Sequence, residues 1–197
     1  VYTDAGIVGN GEAGLWAHHK MVYQAIEDLS AYFIGEDPRQ IEHHHQTVTR
    51  DTHFMGAVIS AALSSIDMAL WDILGKSVDL PVHQLLGGKC REAAACYAHA
   101  DGREPKEIEE SVRKYMAEGY HHIRVQAGGY GGRGAQERKP EGSPPGAYYD
   151  PKHYMRAALD ALEHVRGAVG MEVEILHDIH ERLAPIDAVQ FAKDVEQ

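Results

Sequence analysis

The spacing of hydrophobic residues divides the chain into two parts about halfway along its length. In the first part, apolar residues recur at helical spacing over 16–33 and in a short segment after Pro38. Small and apolar residues fill most faces of 56–78, which predicts a buried helix ending at Gly75. Residues 1–14 place apolar positions on both sides of a glycine-containing turn, which predicts a β-hairpin.

In the second part, a strand pattern followed by a helix pattern occurs three times in succession. The first of the helical segments, EPKEIEESVRKYMAEG, has proline near its start and glycine past its end. Repeated alternation of this kind is typical of a parallel sheet whose strands are joined by helical crossovers. The predicted strands are 94–98, 121–126 and 172–177.

Polar side chains occur where these strands are predicted to end. His99 follows the first strand, Arg124 and Gln126 end the second, and the segment LHDIHERLAP ends the third. Ligand chemistry in parallel sheets belongs at the carboxyl ends of the strands. Strand alternation would place Asp178 and His180 on one face and their neighbours His177 and Ile179 on the other. The alternative is an ordinary strand-to-loop exit.

A long segment between the second strand and its helix, 127–149, is rich in glycine and proline and carries Tyr130, Arg133, Tyr148 and Tyr149. A connection of this length is usually either functional or disordered. We interpret it as a flap over an active site, and a disordered surface insert is the alternative.

Composition narrows the classes of function. The formal net charge of −11 over 197 residues argues against nucleic acid or an anionic membrane surface as partner. Two cysteines do not form a disulfide framework and favour a reducing cytoplasm. No apolar run approaches the roughly 20 residues that a membrane span needs. The three histidines at 43–45 cannot chelate one ion from a regular helix, so an exposed polar face is predicted.

Several segments carry a resemblance to a known family. ALSSIDMALWDILGKSVDLPVHQLLGG, residues 62–88, resembles the end of the amino-terminal capping domain in the enolase superfamily, of the mandelate racemase/muconate lactonizing enzyme type. CYAHADG, IRVQAGG and HDIHERLAPIDA resemble its mannonate dehydratase-like branch. The resemblance implies an α+β cap over 1–90 and, over 91–197, an α/β domain with the first three βα units of a modified TIM barrel. Because such a barrel takes about 250 residues, we expect this chain to be a fragment.

The resemblance also implies roles for individual residues. Asp178 would be the first carboxylate ligand of Mg²⁺, and His180 a catalytic acid or base beside it. Arg124 would orient a tyrosine base from the following loop, with a structural salt bridge inside the barrel as the alternative. His99 would contact substrate, or else be a satisfied histidine lining the barrel mouth. Tyr130 is the first candidate for the base, followed by Tyr148 and Tyr149.

The implied reaction is dehydration of an acid sugar by a Mg²⁺-dependent lyase, giving a 2-keto-3-deoxy acid. Abstraction of a proton next to a carboxylate creates an enediolate, whose charge a hard cation can offset. Trp16 stands where mannonate dehydratases carry a substrate-binding asparagine and is predicted to contact substrate. The alternatives are a galactonate-type dehydratase, a racemase or a non-catalytic relative. We expect a homo-oligomer that binds a small acid sugar and neither nucleic acid nor membrane.

Overall fold

The computed structural model describes residues 1–127, 141–142, 144–145 and 150–196. The chain forms two compact units, Val1–Glu92 and Ala93–Gln197. Each unit has its own hydrophobic core, and each is described by itself. The flap predicted over 127–149 lies mostly outside the described residues.

The first unit is helical, as the sequence predicted. Its helices are α1 (His19–Phe33), α2 (Ile41–Asp51), α3 (Ala57–Ser77) and the short α4 (Val82–Leu85). α1 begins three residues later than predicted because Ala17 takes a left-handed backbone conformation, with φ of 65°, so Trp16 to His18 form a turn. α3 continues through the buried Gly75 to Ser77 instead of ending at that glycine.

α3 is the central helix of this unit. Eight of its residues are buried, and it packs against α1 and α2 through Ile66, Leu70 and Ile73. By length and composition alone it is apolar enough to cross a membrane, contrary to the expectation from the sequence. Its buried residues and its side chains Asp67 and Asp72 match the core helix of a folded domain.

The predicted hairpin at the start of the chain is reduced to one antiparallel bridge, between Tyr2 and Val8. The following segment lies directly on α3, where a Cβ atom at Gly9 or Gly11 would collide with the helix backbone. The Asn10 N–H donates to the Asp72 carboxylate at 2.8 Å, which fixes the segment on the helix.

His44 differs from the prediction of an exposed histidine face on α2. Its exposed fraction is 1%, while His43 and His45 are exposed. His44 follows Ile41 by three residues and precedes Val48 by four, so all three share the buried face of one helix. The run of three histidines therefore crosses from the exposed face to the buried face and back.

The second unit contains the three predicted strand–helix pairs. The strands β1 (Ala98–Gly102), β2 (His122–Ala127) and β3 (Glu174–Leu176) form one parallel sheet in the order β1-β2-β3. They are followed in turn by α5 (Pro105–Ala117), α6 (Pro151–Val169) and α7 (Pro185–Val195). The parallel α/β arrangement is confirmed, and a core of Ile108, Val112, Ile123, Val125 and Val165 joins α5 and α6 to the sheet.

The strand limits differ from the prediction at both edges of the sheet. β1 begins at Ala98, where the predicted strand 94–98 ends, because pairing with β2 starts at Ala98 opposite Ile123. β3 is only three residues long and its last pair is Leu176 with Arg124. The segment that carries Asp178 and His180 therefore lies beyond the ladder.

Candidate active site

The predicted site residues of the second unit meet around one guanidinium group. Arg124 is on the central strand β2, directly opposite His99 on β1. Nη1 of Arg124 donates to Oδ2 of Asp178 at 2.9 Å, and Nη2 donates to Nδ1 of His99 at 3.1 Å. Nη2 also lies 3.3 Å from Oε1 of Gln126. The planar guanidinium thus links three acceptors, which come from β1, from β2 and from the segment after β3.

The position of His99 is different from the one predicted. It is the second residue of β1 and not the residue that follows the strand. His99 and Arg124 meet because they are registered neighbours in the ladder, where facing side chains lie close together. Tyr97 stacks on the His99 ring, with centroids 5.2 Å apart and planes inclined by 19°.

Asp178 is an ionised carboxylate held by several donors. Burial acts to raise its pKa, but the His180 N–H and the charges of His180 and Arg124 outweigh burial, so the pKa lies below its usual value. Oδ2 faces Arg124, and Oδ1 accepts the backbone N–H of His180 at 3.0 Å. The side chain keeps 38% of its surface exposed, so this carboxylate remains open to solvent or ligand.

His180 lies beside Asp178 for a different geometric reason from the strand alternation predicted from the sequence. β3 ends at Leu176, so strand alternation does not set the direction of this side chain. His180 instead has φ of 52°, in the left-handed region, and its N–H closes a turn onto Asp178. The turn brings Nε2 of His180 to 3.4 Å from Oδ2 of Asp178. The two side chains are adjacent, as predicted, because of a turn and not because of a strand.

A cavity of about 570 Å³ opens beside this cluster. Its wall includes Arg124, Asp178 and His180, together with Glu181, whose carboxylate adds to the acidic rim. A second cavity, of about 500 Å³, lies in the first unit and has a mostly apolar wall that includes Phe33 and Ile66. The cavity in the second unit is therefore the one with the chemistry predicted from the sequence.

Four further residues were predicted to take part in the site. Trp16 belongs to the first unit and is 66% exposed. Tyr130, the first candidate for the base, lies outside the described residues, as do Tyr148 and Tyr149. The roles of all four tyrosine and tryptophan side chains stay predictions.

Two further side chains, for which no role was predicted from the sequence, contact the site. Gln126 is buried, follows Arg124 by two residues on the same strand face, and donates to the Asp178 backbone carbonyl at 3.5 Å. His177 contacts Tyr154 and the Val125 carbonyl, and it also lines the cavity. Burial lowers the pKa of His177 below its usual value, which favours the neutral ring. Because Arg124 and Gln126 are two residues apart on a strand, their spacing could have indicated that the glutamine shares the face of the arginine.

The residues present supply part of a Mg²⁺ site. An ionised carboxylate is the ligand type that Mg²⁺ prefers, and Asp178 offers one that is partly exposed. Within the described portion of the chain, no group of three His, Cys, Asp or Glu side chains is arranged to hold a metal ion. Since Mg²⁺ takes six ligands, Asp178 can contribute one ligand, and these residues alone do not complete the site.

Comparison with known proteins agrees with this architecture. Residues 1–87 match the family described as mandelate racemase / muconate lactonizing enzyme, N-terminal domain. The chain is 41% identical to the D-galactonate dehydratase family member RspA of Pantoea ananatis (strain LMG 20103), over 98% of this chain and 51% of that protein. It is 43% identical to a D-galactonate dehydratase family member of Paenibacillus sp. (strain JDR-2), over 100% of this chain and 50% of that protein.

The fold has a similar match among solved structures. The crystal structure of an enolase from Pantoea ananatis with bound D-gluconate and Mg superposes with a TM-score of 0.86 at 39% identity. The match covers 98% of this chain and 51% of that one. The chain therefore spans about half the length of the curated relatives it matches.

A capping domain followed by parallel βα units, with a carboxylate and a histidine after the third strand, defines a class of cap-and-barrel proteins. The chain belongs to this class as a member of the enolase superfamily, of the mandelate racemase/muconate lactonizing enzyme type. The mannonate-like branch expected from the sequence gains no support from these relatives, whose names place them in the D-galactonate dehydratase family.

Proposed function

We propose that this chain contributes the cap and the first strands of a Mg²⁺-dependent acid-sugar dehydratase. The observation that carries the proposal is the convergence of His99, Arg124, Asp178 and His180 on one side of the sheet, three of them lining one cavity. We assign 1–90 to the capping domain and 91–197 to the barrel domain. A galactonate-type substrate is preferred over mannonate because of the family to which the relatives belong.

The reaction requires charge complementarity at the carbon next to the substrate carboxylate. Proton removal there leaves negative charge on two neighbouring oxygens, and a bound Mg²⁺ would offset that charge. The positively charged guanidinium of Arg124 belongs to a side chain that is 8% exposed and lines the cavity. Its positive charge can attract the substrate carboxylate and keep it oriented.

His180 is the proposed acid or base. An imidazole can release or accept a proton near neutral pH, and its ring stands at the cavity wall beside the Asp178 carboxylate. In a dehydration, this ring would protonate the departing hydroxyl group as water leaves. The proton removed from carbon would go to a tyrosine of the flap, with Tyr130 as the first candidate and Arg124 as the group that orients it.

The remaining assignments follow the same proposal. Asp178 would provide one Mg²⁺ ligand, and His99 and Trp16 would contact the substrate. His99 is held for this role by the hydrogen bond that its Nδ1 accepts from Arg124. A homo-oligomer in a reducing cytoplasm, with neither nucleic acid nor membrane as partner, remains our expectation from composition and resemblance.

Two other functions are distinguishable from this one. A racemase of the same superfamily would exchange the proton next to the carboxylate without losing water. A non-catalytic relative would keep the Arg124–Asp178 ion pair as a structural feature, and the pair at 2.9 Å is the observation that favours this alternative.

A panel of aldonates tests the proposal, with the protein expressed from its complete reading frame. Formation of a 2-keto-3-deoxy acid from galactonate or gluconate is expected, and His180→Asn should lower turnover about a hundredfold, which is the contribution typical of general acid–base groups. His164→Asn is the matched control, because His164 is exposed on α6 and pairs with Glu109 away from the cavity. Solvent deuterium exchange without dehydration would indicate a racemase, and no reaction with any aldonate would favour the non-catalytic relative.

A further inference from the structure

His177, the residue before the proposed metal ligand, is held at both ring nitrogens. Nδ1 lies 2.9 Å from the Val125 carbonyl oxygen, and Nε2 lies 2.8 Å from the Tyr154 hydroxyl. A carbonyl oxygen only accepts, so Nδ1 carries the proton. In the neutral ring Nε2 is then the acceptor, and the Tyr154 hydroxyl donates to it.

These hydrogen bonds begin where the strand ladder stops. The last pair between β2 and β3 is Arg124 with Leu176. The next residue on β2 is Val125, and its carbonyl is the group that the His177 ring reaches. A side-chain hydrogen bond thus attaches the chain to β2 one residue past the end of β3.

The ring is also fixed by its neighbours on the two last helices. Tyr154 on α6 and Phe191 on α7 are each 2% exposed, and their ring centroids lie 6.1 Å and 5.6 Å from that of His177. The Arg182 guanidinium lies 5.3 Å from the centroid of the Tyr154 ring. Packing against buried rings restricts rotation of the imidazole, so its two hydrogen bonds keep their direction.

We propose that Tyr154 and His177 are positioning residues that hold the backbone at 177–178, so that the Asp178 carboxylate stays turned toward Arg124 and the cavity. His177 points to α6 and α7, whereas Asp178 points to Arg124. Anchoring one side chain therefore sets the direction of the next. The part of this inference that concerns metal binding rests on the proposed function.

The segment needs such an anchor because the backbone ladder of the sheet ends before it. Residues 177–180 lie outside β3, and the Gln126 amide reaches the Asp178 carbonyl only at 3.5 Å, the outer limit of a hydrogen bond. Groups behind a metal ligand orient it, and their loss typically costs ten- to a hundredfold in metal affinity.

The first unit contains a matched control. The His44 ring lies between the Tyr32 hydroxyl, 2.9 Å from Nδ1, and the Asp37 carbonyl, 2.8 Å from Nε2. The chemistry is the same tyrosine–histidine–carbonyl chain, but no proposed site residue follows His44. Tyr32→Phe and Tyr154→Phe each delete one hydroxyl from such a chain.

Calorimetric Mg²⁺ titration of the two variants tests whether the Tyr154–His177 hydrogen bond supports Mg²⁺ binding. Both variants are made in the protein expressed from its complete reading frame. Tyr154→Phe is expected to weaken Mg²⁺ binding about tenfold, and Tyr32→Phe to leave it within twofold of the parent. Equal Mg²⁺ affinities in the two variants, where Asp178→Asn does weaken binding, would overturn the inference.

A second pair of variants separates positioning from packing. His177→Asn can place its amide nitrogen near the position of Nδ1 and keep the hydrogen bond to Val125, whereas His177→Leu cannot. The asparagine is expected to retain Mg²⁺ affinity within about threefold, and the leucine to lose tenfold or more. Equal losses in both would show that the ring acts by packing alone.

Nitrogen NMR decides the inference without any metal. The His177 ring should carry its proton on Nδ1, and Tyr154→Phe should shift the guanidinium signals of Arg124, because Asp178 lies 2.9 Å from Nη1. Tyr32→Phe should leave those signals unchanged. A proton on Nε2 of His177, or Arg124 signals that ignore Tyr154→Phe, would overturn the inference. If Asp178→Asn leaves Mg²⁺ binding unchanged, the proposed metal role fails and this NMR result alone judges the positioning role.

Discussion

His44 and His177 are held by the same kinds of partner in different units, and the difference between them lies in what comes next along the chain. Each ring lies between a tyrosine hydroxyl and a backbone carbonyl oxygen. His44 is in the middle of α2, so helix hydrogen bonds already fix its neighbours. His177 is in an irregular segment, and its neighbour Asp178 contacts the cavity.

A buried chain of polar groups can have two separate consequences. In α2 it satisfies an imidazole that the helix pattern places inside the first unit. After β3 it also fixes the path of a segment that no ladder holds. The same three groups therefore stabilise packing in one unit and set the direction of a site residue in the other.

The largest expected effect concerns the aromatic rings that flank the two histidines. Phe191 is 2% exposed, whereas Phe33 beside His44 is only partly buried. Phe191→Ala is expected to lower the free energy of unfolding by about 4 kcal/mol, and Phe33→Ala by about 2 kcal/mol because part of its ring already contacts water.

Urea unfolding followed by far-ultraviolet circular dichroism measures both losses. Tryptophan fluorescence adds a signal from the first unit, since Trp16 and Trp71 are the two tryptophans of the chain. An equal loss for the two phenylalanine variants would contradict the greater burial of Phe191 relative to Phe33.

The smallest expected effect concerns the two carbonyl acceptors. The acceptor of His44 belongs to Asp37, whose pKa is lowered to about 2, first of all by the side-chain hydrogen bond from Arg39. The acceptor of His177 belongs to Val125, which has no titratable side chain. Because the folded pKa of Asp37 lies below the unfolded value of 3.8, its contribution to stability is complete above pH 3.8 and is lost as the pH falls toward 2.

Carbon NMR of the Asp37 carboxyl group during an acid titration checks this point. The midpoint should be near pH 2 in the parent and should rise toward 3.8 in Arg39→Gln. The effect on stability should be slight, because the Arg39 side chain is 67% exposed and the Asp37 side chain 35% exposed, and solvent weakens such an ion pair. A parent midpoint at the unfolded value would remove this difference between the two acceptors.

Much of the fold could be predicted because periodicity records burial. The switch from helical spacing to strand–helix alternation predicted the parallel sheet, which the structure confirms. The start of β1 could not be predicted from AAACYAH, since a run of alanines has no contrast between faces. The spacing of Ile41, His44 and Val48 did contain the signal for a buried histidine, which the run of three histidines obscured.

The sequence predicted which residues form the candidate site better than it predicted how they come together. Arg124, Asp178, His180 and His99 do meet, but registered pairing brings His99 to Arg124, and a left-handed turn brings His180 to Asp178. Neither the register nor the turn is visible in residue spacing. The hydrogen bonds of His177 depend on Tyr154, 23 residues away on another element, which a local pattern does not reveal.

The central claim is that Asp178 and His180, adjacent in space, have separate roles in one site. Calorimetric Mg²⁺ titration of Asp178→Asn and His180→Asn, in the protein expressed from its complete reading frame, tests it most directly. Asp178→Asn should weaken binding at least about a hundredfold, because a neutral amide removes charge from a ligand, and ligands matter at least as much as the groups behind them.

His180→Asn should leave the Mg²⁺ affinity within about threefold of the parent. Asp187→Asn is the control for a lost charge, because Asp187 on α7 forms an ion pair with the exposed Lys152, and it should leave the affinity unchanged. A hundredfold loss for Asp178→Asn alone is the result we predict. Equal affinity in Asp178→Asn and the parent would contradict the account, and the carboxylate would then be only the ion-pair partner of Arg124.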